Sequence, residues 1–310
     1  MLDLLSKVNK MRTLYIILIT IFVFCSQPGQ AQKHGEPGEP FSFVFVTDIH
    51  LQPERNTVKS FTKAIDFINE LNPDFVISGG DLIMDANEQT QNRADSLFDL
   101  YIMTSKLFKM PVYNAIGNHE LFGVSLKNGI TPDHPLFGKK MFEAKIGKLY
   151  QTFTHKGWKF FILDDIDVSE PGKYTGYIDF DQMLWIKKEL AVTDRNTPIV
   201  IALHIPMLTT LAQFERGGLA SNPDIQALIN TRQVLDLFKG YKLKLVLQGH
   251  LHIFEDIYIQ NIRFIDGGAL SGWMWNGPYK GTPPGFLKID VKNDGFSYEY
   301  MDYGWKPIPK

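Results

Sequence analysis

The sequence predicts an α/β fold. Three observations carry the prediction. Short runs of apolar, β-branched and aromatic residues alternate with segments of helical period. Each of the main runs ends in glycine or in a carboxylate, amide or imidazole side chain. Further runs are paired across turn-forming residues, which predicts hairpins as antiparallel edges or a second sheet.

The first run is FSFVFV at 41–46, closed by Thr47-Asp48-Ile49-His50. Residues 57–71 carry apolar side chains at 58, 61, 64, 65, 68 and 71, the spacing of a helix with one buried stripe, and Asn72-Pro73 ends it. A second strand is expected at 74–78, before Gly79-Gly80-Asp81, then a helix over 93–109. A third strand, 111–116, precedes Gly117-Asn118-His119-Glu120. Residues 121–148 read as loops with one short helix. YQTFTH and WKFFILDD flank Lys156-Gly157 as a hairpin. A helix is expected at 181–191, and a strand at 197–203 leads into His204-Ile205-Pro206. A helix near 223–239 precedes KLKLVL and then LQGHLH, residues 247–252. Two hairpins follow, IYI with IRFID, and FLKID with FSYEYMDY across Asn293-Asp294-Gly295. No repeat or linker interrupts 41–310, which reads as one domain.

The composition is that of an ordinary globular chain, 44% hydrophobic and 21% charged. A net charge of −2 gives no basic field for nucleic acid or an anionic membrane. The N-terminus departs from this. From Met11, an alternative start, MRTLYIILITIFVF supplies a basic residue and an apolar run, and Gly29-Gln30-Ala31 offers a cleavage site. Residues 1–31 therefore read as a signal peptide and 32–40 as a flexible lead-in, so the mature chain is expected to be secreted or periplasmic. The apolar run Leu14–Cys25 is short for a membrane span, which takes roughly 20 residues. Lipid modification of Cys25 is the competing reading, opposed by bulky Phe24 before it. Cys25 is the only cysteine, so removal of the signal leaves neither disulfide nor thiol nucleophile.

The strand ends collect Asp48, His50, Asp81, Asn118, His119, His204, His250 and His252, five of the eight histidines among them. A lone buried histidine is more often a hydrogen-bonded core group than a ligand. Such groups on five separate strand ends are a stronger signal. In LQGHLH, residues at i and i+2 of a strand would share a face, which would aim both imidazoles at one point.

In this order, D-x-H, G-D, G-N-H-E, H-x-P and G-H-x-H, the blocks resemble the calcineurin-like metallophosphoesterase superfamily, over residues 48–252. The resemblance implies a four-layer α/β/β/α sandwich with two metal ions between the strand-end loops. It implies that Asp48, His50 and His252 bind one ion, Asn118, His204 and His250 the other, and that Asp81 bridges them. His119 matches a histidine beside the scissile phosphate that binds neither metal. Such mixed donors suit Fe, Mn, Zn, Ni or Co. A water between two cations roughly 3.5–4 Å apart is acidified toward hydroxide and attacks phosphorus, and the small phosphorylated substrate is a mono- or diester. His119 would stabilise phosphoryl charge and protonate the leaving oxygen. Glu120 or Asp85 is a candidate to orient an imidazole. The second block, GGDLIMD, lacks the tyrosine of the purple acid phosphatase branch.

Residues 267–286 hold Trp273 and Trp275 among glycines, like the Gly-Trp-rich segments of secreted bacterial members. An exposed aromatic loop there would stack a nucleobase or a sugar, whereas buried tryptophans would only cover the sheet edge. His134 and His155 match no block, and Asp164-Asp165, which follows a strand, either faces the site or, as the preferred reading, caps the strand end. Two rivals to the phosphoesterase reading are a non-catalytic envelope ligand-binding protein that kept the fold, and a metal-dependent hydrolase of a non-phosphate bond. Loss of ligands would favour the first, yet every position that the five blocks assign to a metal ligand is filled.

Overall fold

The computed structural model describes residues 37–170 and 172–307. The expected signal 1–31, with Met11 and Cys25, and most of the lead-in 32–40 lie outside the described residues. No helix among the described residues is long and apolar enough to cross a membrane.

Strands β1 (Phe41–Val46), β2 (Phe75–Ser78) and β3 (Val112–Asn114) are parallel neighbours. Helices α1 (Thr57–Leu71) and α2 (Gln91–Ser105) connect them. With β12 (Gly285–Lys292) and β13 (Gly295–Asp302) they form one sheet, ordered β13-β12-β1-β2-β3. The second sheet uses β4 (Gln151–His155), β5 (Trp158–Ile162), β8 (Pro198–Ala202), β9 (Lys242–Gln248), β10 (Phe254–Ile259) and β11 (Ile262–Gly267), ordered β10-β11-β9-β8-β5-β4. Its four inner strands are parallel, and its edges are the antiparallel arms of the expected hairpins. A separate ribbon pairs β6 (Ile166–Glu170) with β7 (Lys173–Gly176). Four further helices complete the fold: α3 (Lys140–Lys145), α4 (Phe180–Ala191), α5 (Leu211–Arg216) and α6 (Thr231–Leu237).

Period-two alternation divides the core. Phe43 and Phe45 of β1 pack with Phe160, Val200, Leu245 and Leu247 of the other sheet. Val44 and Val46, on the opposite face, pack with Phe61, Ile65 and Ile68 of α1. On the far side of the second sheet, Ile201, Val246 and Phe264 meet Ile186 of α4 and Val234 of α6. An apolar seam between the sheets and helices on their outer faces are what the expected sandwich requires. A one-residue slip of β1 would turn its phenylalanines onto α1, so the seam also fixes register.

Two helices differ from expectation. Helix α2 stops at Ser105 rather than at 109. Asn69 of α1 donates to the Leu107 carbonyl at 2.9 Å and accepts from the Lys109 N–H at 2.9 Å, and so takes the backbone groups another turn would need. The expected helix 223–239 forms only as α6. Its first half gives its backbone to other elements: Leu228 N–H to Pro206, Ile229 N–H to Gly176, and the Asp224 carbonyl to the Gly176 N–H. The ribbon β6–β7 and helix α5 have no counterpart in the sequence reading.

Candidate metal centre and active site

The carboxyl ends of β1, β2, β3, β8 and β9 deliver Asp48 and His50, Asp81, Asn118 and His119, His204, and His250 and His252 to one place, as strand-end loops of α/β folds do. The backbone there is unusual. Asp48, His50, Asp81, His250 and His252 all take positive φ, between 48° and 71°. Each such conformation costs about 1–3 kcal/mol in a non-glycine residue and persists only where its surroundings impose it. The pleat of β9 therefore does not aim the two histidines of LQGHLH, because β9 ends at Gln248. Left-handed turns aim them, and they point to different partners. Gly249 is required between: a Cβ there would come within 2.1 Å of Thr47 Oγ1 and 2.8 Å of Asp48 Oδ2.

Three overlapping groups of donors result. Asp48, His50 and His252 place ligand atoms within 4.8 Å of one another, and so do Asp81, His204 and His250. In the first group, His50 Nε2 is 3.0 Å from His252 Nε2, and His252 Nε2 is 3.3 Å from Asp48 Oδ1. In the second, His204 Nε2 is 3.3 Å from Asp81 Oδ2, 3.2 Å from His250 Nδ1 and 3.0 Å from Asn118 Oδ1. Asp81 Oδ2 also lies 3.7 Å from His50 Nε2, so one oxygen faces both groups. The third group joins His119 to His50 and Asp81, with His119 Nε2 3.8 Å from Asp81 Oδ2. Distance alone thus does not set His119 apart. Its half-buried ring lines a cleft of about 590 Å³ with Gln52, Met84, Asn118 and Tyr174.

These donors fit cations. His204 Nδ1 donates to the Gly79 carbonyl at 2.8 Å and His252 Nδ1 to the Gly272 carbonyl at 2.7 Å, so each Nε2 presents a lone pair. The lone pair of His204 then meets Asn118 Oδ1 and Asp81 Oδ2, which are also acceptors. That of His252 meets Asp48 Oδ1, which is buried with no hydrogen-bond partner among the described residues. Buried acceptors facing acceptors need a positive charge between them. Burial would lower His204, but Asp81, Asp48 and Asp165 raise it to about 10, and the field that would hold a proton on Nε2 would also hold a metal. Burial would raise Asp48, yet His252 and His204 keep its carboxyl ionised, at about 2. Burial and then the neighbouring His204 hold His250 down at about 4, a neutral ligand.

The surrounding residues correct several expectations. Glu120 does not orient an imidazole. Its buried carboxylate accepts four backbone N–H groups, from Asp81 (3.0 Å), Leu82 (2.8 Å), Ile83 (3.1 Å) and Gly117 (2.7 Å). Asp85 closes its own turn by accepting from the N–H groups of Asn87 and Glu88. Trp275 is buried, with Nε1 donating to the carbonyls of Ile49 (2.8 Å) and His50 (3.1 Å), so it braces the backbone of those residues and offers no open face for stacking. Trp273 remains exposed. The Asp164-Asp165 pair divides: Asp164 pairs with Lys139 at 2.5 Å, while Asp165 accepts from the His204 N–H at 3.3 Å beneath the site. His134 and His155 lie apart from all three groups. Sequence reasoning missed Tyr174 and Gln52 at the cleft; Tyr174 comes from the ribbon that left no recognisable pattern.

A family model described as calcineurin-like phosphoesterase matches residues 41–254. No curated protein matches the chain. Among solved structures, the chain is similar to a dimetal phosphatase from Danio rerio, at 15% identity and TM-score 0.62, covering 86% of this chain and 96% of that one. It is similar to the purple acid phosphatase PPD1 of yellow lupin, at 18% identity and TM-score 0.57, covering 87% of this chain and 53% of that one. It is also similar to GAP50 of Plasmodium, at 15% identity and TM-score 0.52, covering 86% and 85%. At such identities the structures attest the fold, while the family match spans most of the chain and every strand end that builds the site. The chain belongs to the calcineurin-like phosphoesterase family, whose members are metal-dependent phosphate-ester hydrolases with a dinuclear centre.

Proposed function

We propose that this chain hydrolyses a phosphate mono- or diester at the cluster centred on Asp81. The observation that carries the reading is the position of Asp81 Oδ2, 3.3 Å from His204 and 3.7 Å from His50, between two otherwise separate donor groups. Asp48, His50 and His252 would hold one ion, Asn118, His204 and His250 the other, and Asp81 both. When bound, two ions of the Fe, Mn, Zn, Ni or Co class supply positive charge for the phosphoryl oxygens and acidify the attacking water. The remaining work falls to the protein. The Met84 carbonyl, 2.5 Å from His119 Nδ1, fixes a proton on that nitrogen and turns Nε2 toward Asp81 at the cleft. From there, protonated His119 can bind a phosphoryl oxygen and give its Nε2 proton to the leaving oxygen.

The test is hydrolysis of para-nitrophenyl phosphate and its bis ester by the chain from Gln32, with Mn, Zn, Ni or Fe added. Metal-dependent turnover is expected. His119→Ala should lower kcat by roughly 10²–10⁴-fold while leaving two metals bound, because it removes a proton donor and no ligand. A variant that loses metal in step with activity would make His119 a ligand. No turnover together with no bound metal would overturn the proposal.

We further propose that the enzyme works outside the cytoplasm, in the periplasm or secreted, after loss of residues 1–31. Amino-terminal sequencing of the protein from its native host should read from about Gln32. A chain that keeps the apolar run 14–25 refutes this, and a lipid-bearing Cys25 would replace free export with anchoring.

A further inference from the structure

The loop after β11 is stitched to the metal-binding backbone at nearly every turn. Leu270 N–H donates to the Thr47 carbonyl at 2.9 Å, and Ser271 Oγ to the Asp48 carbonyl at 2.7 Å. The Gly272 carbonyl takes the His252 Nδ1 proton, and Trp275 Nε1 reaches Ile49 and His50. Gly272 has φ +59°, and a Cβ there would lie 2.3 Å from the Gly277 carbonyl oxygen, so the turn has no slack. Between these anchors stands Trp273, 43% exposed although it is the bulkiest kind of apolar side chain. Tyr279 stacks on it at 4.4 Å and 13°. The pair stands edge-on to His252, with ring centroids 5.7 Å away for Trp273 and 6.2 Å for Tyr279. A rigid aromatic plane, backed on one face and open to solvent beside a ligand imidazole, is costly to leave wet and preorganised to bind another ring.

Resting on the phosphoesterase reading, we infer that Trp273, backed by Tyr279, is a specificity-determining wall that stacks a planar ring, aryl or nucleobase, carried by the phosphate ester. The ring adds binding without touching the reacting atoms. It therefore acts through affinity for ring-bearing esters and leaves small alkyl esters unaffected. His252 holds its place without the indole, because the Gly272 carbonyl and not Trp273 fixes its imidazole.

The test is calorimetric titration of the Mn-loaded chain with phenylphosphonate and with methylphosphonate, neither of which is hydrolysed. Wild type should bind phenylphosphonate roughly tenfold more tightly, the scale of one aromatic stack. Trp273→Ala should erase that preference and leave methylphosphonate within about twofold, and Trp273→Phe should restore part of it. An unchanged preference in Trp273→Ala overturns the inference. So does an equal loss for both ligands, which would make Trp273 a support for His252. Binding of both phosphonates without preference in wild type sinks this inference and leaves the phosphoesterase reading standing. Binding of neither, with no ester turned over at two metals per chain, sinks both.

Discussion

Replacing Asp81 by alanine should lower phosphate-ester turnover by about a thousandfold or more and leave fewer than two metals bound after dialysis. The magnitude follows from where the carboxylate stands. Its Oδ1 accepts the His119 N–H at 2.9 Å, and its Oδ2 faces His204, His50 and His119 within 3.8 Å. No other side chain among the described residues belongs to both the His50 and the His204 groups. Removing it detaches the two groups from each other and leaves the imidazoles without the charge that offsets their crowding. Loss of a residue that only orients a ligand costs about 10–100-fold in metal affinity or activity, so loss of a shared ligand should exceed that range. Asp81→Asn is the sharper variant. It keeps the shape and one acceptor, so the fold should survive, but it lacks the charge that two neighbouring cations require. Elemental analysis of dialysed protein beside kcat decides the matter. An Asp81→Asn chain with two metals and kcat within tenfold of wild type would remove Asp81 from the shared position.

The donor cluster was legible because each of its blocks follows a strand-like run rich in apolar residues, so order along the chain stood in for position in space. Asp48, Asp81, Asn118, His204 and His250 could be placed by that rule, since parallel strands put all their carboxyl ends on one edge. What holds them there was not legible. The carbonyls of Gly79 and Gly272 fix the tautomers of His204 and His252, and a backbone carbonyl leaves no trace in the sequence. Trp275 and Trp273 are two residues apart in one glycine-rich stretch, and nothing local says that the first is buried and the second exposed. The helix expected at 223–239 failed for a related reason. The segment is expected as one helix, while the backbone of its first half is claimed by Gly176 and Pro206, distant in sequence. Local pattern reads elements whose hydrogen bonds are local, and it misreads segments whose backbone partners lie elsewhere.

Glu120 is the strongest case, and its substitution by alanine should destabilise the fold by about 3–5 kcal/mol, roughly ten degrees in Tm for a chain of this size. The carboxylate lies two residues beyond Asn118, but three of its four donors come from the loop after β2, where Asp81 sits at φ 52°. Alanine would leave four N–H groups without an acceptor in a buried site, each a cost of about 1–3 kcal/mol before relaxation and water entry. It would also free the strained Asp81 turn, so metal affinity should fall together with Tm. Glu120→Gln keeps one oxygen but sets an N–H₂ against two of the donors, and should fall between. The pH dependence has a definite sign. Burial, and next the Asp81 charge, push the Glu120 carboxyl up to about 7 from the usual 4.5, against its backbone donors. A carboxyl raised on folding keeps a proton that the unfolded chain has released, so its contribution falls as pH rises from about 4.5 to 7. In chelator-treated protein the Tm gap between wild type and Glu120→Ala should therefore be wider at pH 5 than at pH 8. Bound cations favour the carboxylate, so loading metal should flatten that difference. A gap that widens with pH in the stripped chain would mean that the four N–H groups outweigh burial and Asp81, and that Glu120 is ionised throughout.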